Sequence, residues 1–294
     1  MNICLLVINY NGLFFLNKYL EDISKVCSSS TIDLIVSDDK SGDESIQYLI
    51  SNNINYTINE SNNHGFASNV NNGIKYARGI KEYDYFIIAN NDIELREGLF
   101  EKVCELLFFL QSKDKFLGIV GFDEIGLDKK KYFEKFDFNQ YSLESTISVK
   151  DIPGFFFILS KELIDSIGYF DEDYFMYGED NDYFTRTLKA NFTIYNSLLP
   201  VMHYSESSST NYKTTSWYVY RNTFLYARKN LSFIQSIRLF LTFIYIIYNP
   251  FYENNSPSAL RVKRCGFFTN NYFLVKSIVW NISFYFKTLF KIDK

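Results

Sequence analysis

The chain has 294 residues, 47% of them hydrophobic and 22% charged, which excludes a globally disordered protein and allows one large core with an appendage. Its net charge of −4 is unevenly divided: from Arg221 onward eleven Lys/Arg face two acids, a net of +9, leaving −13 on the first 220 residues. So acidic a body argues against nucleic acid as a partner, and four scattered cysteines without CxxC spacing (Cys4, Cys27, Cys104, Cys265) argue against a disulfide framework or a zinc cluster and fit a reducing compartment.

The chain opens directly on ICLLVI (3–8), with no basic n-region and no small-residue cleavage site, so this stretch reads as a first strand and not as a signal peptide. Further strands are predicted at 32–37, 54–59, 84–89 and 117–122, with helical patterns near 13–26, 44–52, 67–79 and 97–112 between them. Alternation of nearly continuous apolar strands with helices predicts a mostly parallel central sheet covered on both faces. Ligands of such sheets sit at the carboxyl ends of the strands. Residues 126–146 are charged and aromatic without a clear period and read as a surface excursion or lid. After Pro153-Gly154 come an apolar run, helices near 160–167 and 179–190, and a strand near 192–199 leading into His203.

The strand ends carry the chemistry. The first reads Asn9-Tyr10-Asn11-Gly12, with no GxGxxG to signal a dinucleotide site. The second reads SDDKSGD (37–43), where Asp38 suits a ribose or pyrimidine hydrogen bond and Asp43 or Ser41 suits a helix cap. Asn63–Gly73 is rich in Asn and Gly at a loop-to-helix junction, an arrangement able to hold an anion or simply to turn. Asn90-Asn91-Asp92 ends the very apolar strand YFIIAN and places a carboxylate where a hard cation such as Mg²⁺ or Mn²⁺ would bind. FDEDYFMYGEDND (170–182) holds six acids among five aromatic or methionine side chains, which suggests a pocket in which one acid works as a general base. At helical spacing Asp182 and Arg186 form a structural pair.

Taken in order, VINYNG (7–12), SDDKSGDES (37–45), NHGFASNVNNGI (63–74), NND (90–92), GFFFILSKELIDSIGYFDEDYFMYGEDNDYFTRTLKA (154–190) and His203 followed by serines resemble the inverting family 2 glycosyltransferases. The likeness is closest to the rhamnosyltransferase-like branch that builds bacterial surface polysaccharides. It implies a type A nucleotide-diphospho-sugar transferase fold and transfer from a UDP- or dTDP-sugar to a glycan hydroxyl, on a lipid-linked oligosaccharide. It further implies Asp180 as the base that deprotonates the acceptor, with Glu179 beside it. Asp92 and His203 are implied to hold Mg²⁺ or Mn²⁺, and Asn9, Tyr10, Asp38, Gly65, Asn71, Asn91, Asp92 and Gly154 to form the donor site. The metal motif keeps only its final acid, so Asn90 and Asn91 are poor metal ligands, and Val70 stands where an Asn is usual. A sugar-nucleotide or glycan-binding module without turnover is the alternative reading.

The sequence divides into a catalytic domain at 1–215 and a helical extension at 216–294. LFLTFIYIIYNPFY (239–252) and SIVWNISFYF (277–286) are too short to span a bilayer, and Pro250 interrupts the first. On a helix Lys276, Lys287, Lys291 and Lys294 share one side, opposite Ile278, Val279, Trp280 and Phe284, so the extension is expected to lie on an anionic membrane surface, peripheral to the inner face. Packing on the domain or an oligomer contact is the competing expectation.

Overall fold

The computed structural model describes residues 1–30, 32–61, 64–204, 212–249 and 267–289. The chain divides into two compact units, Met1–Phe175 with Glu179–Ser207, and Met176–Gly178 with Ser208–Lys294.

In the first unit, nine strands among the described residues form one sheet. They are β1 (Ile3–Asn9), β2 (Asp33–Asp38), β3 (Tyr56–Ile58), β4 (Tyr85–Asn90), β5 (Ile93–Glu94), β6 (Leu117–Ile125), β7 (Ile147–Val149), β8 (Phe156–Ser160) and β9 (Thr193–His203), in the order β3-β2-β1-β4-β8-β6-β9-β5 with β7 on β9. β1, β2, β3 and β4 run parallel, as do β6 and β9; β8 is antiparallel to both β4 and β6. The sheet is therefore mixed and mostly parallel, as the alternating pattern predicts, with β8 reversed between β4 and β6.

The strands are apolar throughout because both faces are covered. Along β1, Ile3, Leu5 and Val7 enter one core with Leu16, Leu20 and Ile23 of α1 (Leu13–Ser30), while Cys4, Leu6 and Ile8 enter the other with Val70 and Ile74 of α3 (Phe66–Ile80). Between these helices lies α2 (Ser45–Ser51), whose first amide, on Ser45, reaches the carboxylate of Asp43 at 3.0 Å. The same carboxylate takes the Leu13 N–H of α1 at 3.0 Å, so one side chain accepts from the first residues of two helices. Completing the layers are α4 (Leu99–Lys113) on the first face and α6 (Lys161–Ile167) and α7 (Glu179–Lys189) on the second. The excursion at 126–146 is not a free lid: α5 (Lys130–Lys135) sits within it, Phe133 and Phe138 are buried in the first core, and Arg96 donates to the carbonyls of Phe133 and Phe136.

The second unit contains α8 (Tyr212–Asn230), α9 (Phe233–Tyr248) and α10 (Phe267–Leu289). Val219 and Tyr220 of α8 bury against Phe273 and Leu274 of α10, and Asn281 of α10 donates to the Arg221 carbonyl at 3.0 Å. Ser232 and Gln235 form a capping box that starts α9. The packing departs from the lysine-opposite-apolar reading of α10. Ile278 packs into the core, while Trp280 and Phe284 stack on each other at 4.8 Å under Arg221 and Arg228. Only Val279 of that set faces solvent, and of the four lysines only Lys276 has a described side chain; Lys291 and Lys294 lie outside the described residues.

Helix α3 lies on the sheet closely enough to demand glycine. A Cβ at Gly73 would stand 2.5 Å from one Leu6 methyl and 2.6 Å from the other, whereas at Gly79 of the same helix it would meet nothing within 4 Å. Alanine adds about 1 kcal/mol of helix propensity at either place, and overpacking costs about 1–3 kcal/mol. Gly79→Ala is thus expected to stabilise the fold by up to about 1 kcal/mol, and Gly73→Ala to destabilise it, in urea titrations with unchanged m-values. Equal gains at both sites would mean that α3 does not press on Leu6.

Candidate active site

At the carboxyl ends of β1, β2 and β4 the polar groups bind one another. Asn9 is fully buried: its Nδ2 donates to Asp38 at 2.7 Å and its Oδ1 accepts from Asn91 Nδ2 at 2.6 Å. Gly12 permits this, since a Cβ there would lie 1.9 Å from Asn91 Nδ2 and 2.4 Å from Asn9 Oδ1. Asp38 is also fully buried, and it accepts from the Ser41 amide at 2.7 Å and the Ser41 hydroxyl at 2.8 Å besides Asn9. Its neighbour Asp39 takes the Gly65 amide at 2.7 Å and Asn59 Nδ2 at 2.9 Å, and meets His64 Nδ1 at 3.1 Å. Asp38 and Asp39 thus brace the loops at the strand ends. Tyr10 stands exposed beside them.

Gly65 and Asn71, expected on the donor, do other work in the structure. Gly65 has φ +135°, and a Cβ there would strike the Phe175 carbonyl at 2.2 Å. Buried Asn71 donates to the Phe170 carbonyl at 2.9 Å and to Glu172 at 2.8 Å, and accepts from the Phe170 amide at 2.9 Å. Its amide is spent on holding the acidic–aromatic segment against α3, a backbone clamp that nothing in its spacing distinguishes from a ligand contact. Asn63 of the same motif lies outside the described residues.

A second group forms where β5 pairs with β9, with Ile93 opposite His203. The pairing sets Asp92 Oδ1 3.2 Å from His203 Nε2, both side chains being nearly buried. The other ring nitrogen, Nδ1, meets Glu124 at 2.6 Å, and the ring stacks on Phe155 with centroids 4.8 Å apart. Burial works against a charge on His203, but hydrogen bonds and attraction from Asp92 and Glu124 win and push its pKa up to about 9. Glu124 is a residue that the sequence reading misses. β6 runs to Ile125, three residues past the expected end, and beyond a register shift against β9 between Gly121 and Asp123 it brings Glu124 to the ring.

The third group joins Gly154 to Asp180. A Cβ on Gly154 would stand 3.0 Å from Asp180 Oδ2, so the glycine lets the acid approach the backbone just ahead of β8. Asp180 is half-buried in the first turn of α7, beside buried Glu179, and Asp182 is held by Arg186 at 2.8 Å. Because Phe155 follows Gly154, accepts the Asn90 amide at 2.8 Å and stacks on His203, the three groups are contiguous.

Among the described residues no cluster of three or more His, Cys, Asp and Glu is arranged to hold a metal ion. Asp92 and His203 supply one carboxylate and one imidazole whose far nitrogen rests on a carboxylate. That donor set fits a hard divalent cation that takes its remaining oxygens from phosphate and water.

Comparison with known proteins bears on the fold and the family. The hexosyltransferase Agl10 of low-salt glycan biosynthesis in Haloferax volcanii is 25% identical over 241 residues, 76% of this chain and 75% of that one. The mannosyltransferase PcManGT of Pyrobaculum calidifontis, solved with GDP-Man and Mn²⁺, superposes with a TM-score of 0.55 at 13% identity over 95% of this chain and 73% of that one. S. aureus TarS superposes with a TM-score of 0.55 at 14% identity over 85% of this chain, which spans 44% of the TarS chain. Residues 4–168 match the model for glycosyl transferase family 2, and the chain belongs to that family.

Proposed function

We propose that this glycosyltransferase moves a sugar from a nucleoside diphosphate donor, UDP- or dTDP-linked, onto a glycan hydroxyl with inversion and in a Mg²⁺- or Mn²⁺-dependent manner. The observation that carries the reading is the contiguity of Asp92, His203, Phe155, Gly154 and Asp180, which gathers a metal-suited pair and a half-buried acid at one edge of the sheet. The Mn²⁺ and GDP-Man of PcManGT and the UDP-GlcNAc of TarS 1-349 support a metal and a nucleotide sugar as the class of ligand.

In this reading Asp92 and His203 hold the metal, with Glu124 fixing the imidazole through Nδ1. A bound divalent cation supplies charge neutralisation for the departing diphosphate. Asp180 accepts the acceptor hydroxyl proton while that oxygen bonds to the anomeric carbon on the face opposite the leaving group. The bond from that carbon to the donor phosphate oxygen breaks, and its electron pair leaves with the nucleoside diphosphate. One carboxylate is enough, because no covalent glycosyl-enzyme forms. Asn9, Asp38 and Asn91 hold the floor on which the donor rests, exposed Tyr10 offers a ring to the base or sugar, and Gly154 sets the height of Asp180. Gly65 and Asn71 act at one remove by fixing the segment that leads to Asp180. The acceptor is proposed to be a lipid-linked glycan of a cell-surface polysaccharide, met at the inner face of the membrane.

Asp180→Asn should lower turnover by about 10²–10⁴-fold with donor affinity near wild type, read as nucleoside diphosphate release under saturating donor and a panel of glycan acceptors. Wild-type turnover in that variant would move the base to Glu179. No release in any wild-type reaction would instead favour a binding module.

Asp92→Ala should abolish the Mn²⁺-dependent part of donor binding, and His203→Ala should weaken it less, because the carboxylate is the anionic ligand. Titration calorimetry with UDP-, dTDP- and GDP-sugars, with and without Mn²⁺, measures both. Equal donor affinity in wild type and Asp92→Ala would end the metal role.

The raised pKa of His203 carries a stability consequence. Its folded value of about 9 exceeds the ordinary 6.5, so the stabilisation is complete below about pH 6.5 and is lost as pH climbs through about 9. Melting temperatures of the metal-free protein across this window should fall more steeply for wild type than for His203→Gln, with Glu124→Gln between them. Coincident slopes would show that the ring is uncharged between its two carboxylates.

A further inference from the structure

We infer that the outward faces of α9 and α10 form a surface that lies in the plane of an anionic lipid bilayer. The inference rests on the proposed membrane-borne acceptor for its purpose, but its evidence comes from the second unit alone.

Helix α9 is apolar almost all round, FIQSIRLFLTFIYIIY, and such a helix in a soluble protein is normally covered on every side. Among its described side chains, Phe240 and Ile244 pack into the small core that Tyr220 and Phe224 of α8 help to form. The adjoining side presents Ile234, Ile237, Leu241, Tyr245 and Tyr248, 43–65% exposed and spaced by three or four residues into one stripe. Helix α10 repeats the arrangement. Phe273, Leu274 and Ser277 are buried, whereas Phe268, Tyr272, Val275, Val279 and Ile282 are 53–87% exposed along one face. Tyr248 donates to Asn271, which brings the end of the first stripe beside the beginning of the second. Scattered exposed apolar residues are ordinary, but two continuous stripes that meet are not.

Charge chooses the occupant. Helices α8, α9 and α10 contain no Asp or Glu, and they carry Lys213, Arg221, Arg228, Lys229, Arg238, Lys276 and Lys287. Arg238 adjoins Ile237 and Lys276 adjoins Val275, both exposed at the borders of the stripes. An isologous pairing of two such units would set cation against cation. A leaflet with anionic headgroups offers apolar depth to the stripes and negative charge to their borders. Tyrosines within the stripes suit that boundary, with rings in the acyl region and hydroxyls toward water. No helix among the described residues is long and apolar enough to cross a membrane, so the helices lie along it.

The test uses the full chain and vesicles of phosphatidylcholine with or without phosphatidylglycerol, floated at low and high salt. Wild type should float with the anionic vesicles and far less with the neutral ones. Leu241→Asn/Val279→Asn, both at exposed positions, should lower partitioning at least about tenfold at every salt concentration. Arg238→Gln/Lys276→Gln should lower it roughly thirtyfold at low salt and flatten the salt dependence. Melting curves equal to wild type establish that each variant is folded. Wild type that ignores anionic vesicles, or stripe variants that bind as wild type does, overturns the inference. So does a wild-type dimer in light scattering that Leu241→Asn/Val279→Asn converts to monomer. Transfer to a water-soluble acceptor is measured in parallel: loss of flotation with transfer intact supports the surface, whereas flotation without any transfer leaves the surface standing and counts against the proposed reaction.

Discussion

Asp92 and His203 are 111 residues apart in the chain, and they meet because a two-residue strand, β5, pairs antiparallel with the end of β9. Everything at the carboxyl edge of the sheet hangs on that short ladder. It turns the chain leaving β4 back across the sheet, so the acid at the strand tip faces an imidazole and not solvent. A buried carboxylate without a partner would be costly in such a place. The imidazole, pinned on its other side by Glu124 and underneath by Phe155, meets that cost. Asp92 and His203 are thus held face to face as an ion pair at the edge of the sheet.

Around this pair, polar side chains fall into those that shape and those that remain accessible to a ligand. Asn9, Asp38 and Asn69 are buried and occupied by one another and by backbone, with Asn69 reaching the carbonyls of Asn9 and Ser37. They fix where β1 and β2 end. Asn71 does the same for the segment at 170–175, tying it to α3 with bonds to both the amide and the carbonyl of Phe170. Asp180 then enters α7 at a height set by the missing side chain of Gly154. Rigid strand ends carrying a few half-exposed groups are what a transfer reaction between two positioned partners requires.

The second unit follows a different logic. Among the described residues its helices α8, α9 and α10 share a seam through Tyr220, Phe273 and the Asn281 contact, and they leave apolar stripes exposed. A fold that needed only internal stability would place polar residues there. The absence of acids from all three helices points the same way, since solvated helices ordinarily mix charges of both signs.

The sequence by itself determined the sheet-and-helix alternation, because strands covered on both faces must be apolar throughout while their covering helices need only one apolar stripe. It also determined that Asp38, Asp92, Asp180 and His203 stand at strand ends or at the first turn of a helix, since motif order and element boundaries are local properties. Tertiary structure alone decided which of these side chains meet. Glu124 reaches His203 only past a register shift at which β9 takes up extra residues against β6, and Phe155 becomes the shelf beneath it only because β8 runs antiparallel between β4 and β6. It decided as well that Asn71 would clamp backbone, and that Ile278 and Trp280 would turn inward while Val275 and Val279 turned outward. Periodicity gives the angle between side chains around a helix, but the direction of the core is set by the neighbouring helices, and no single helix encodes it.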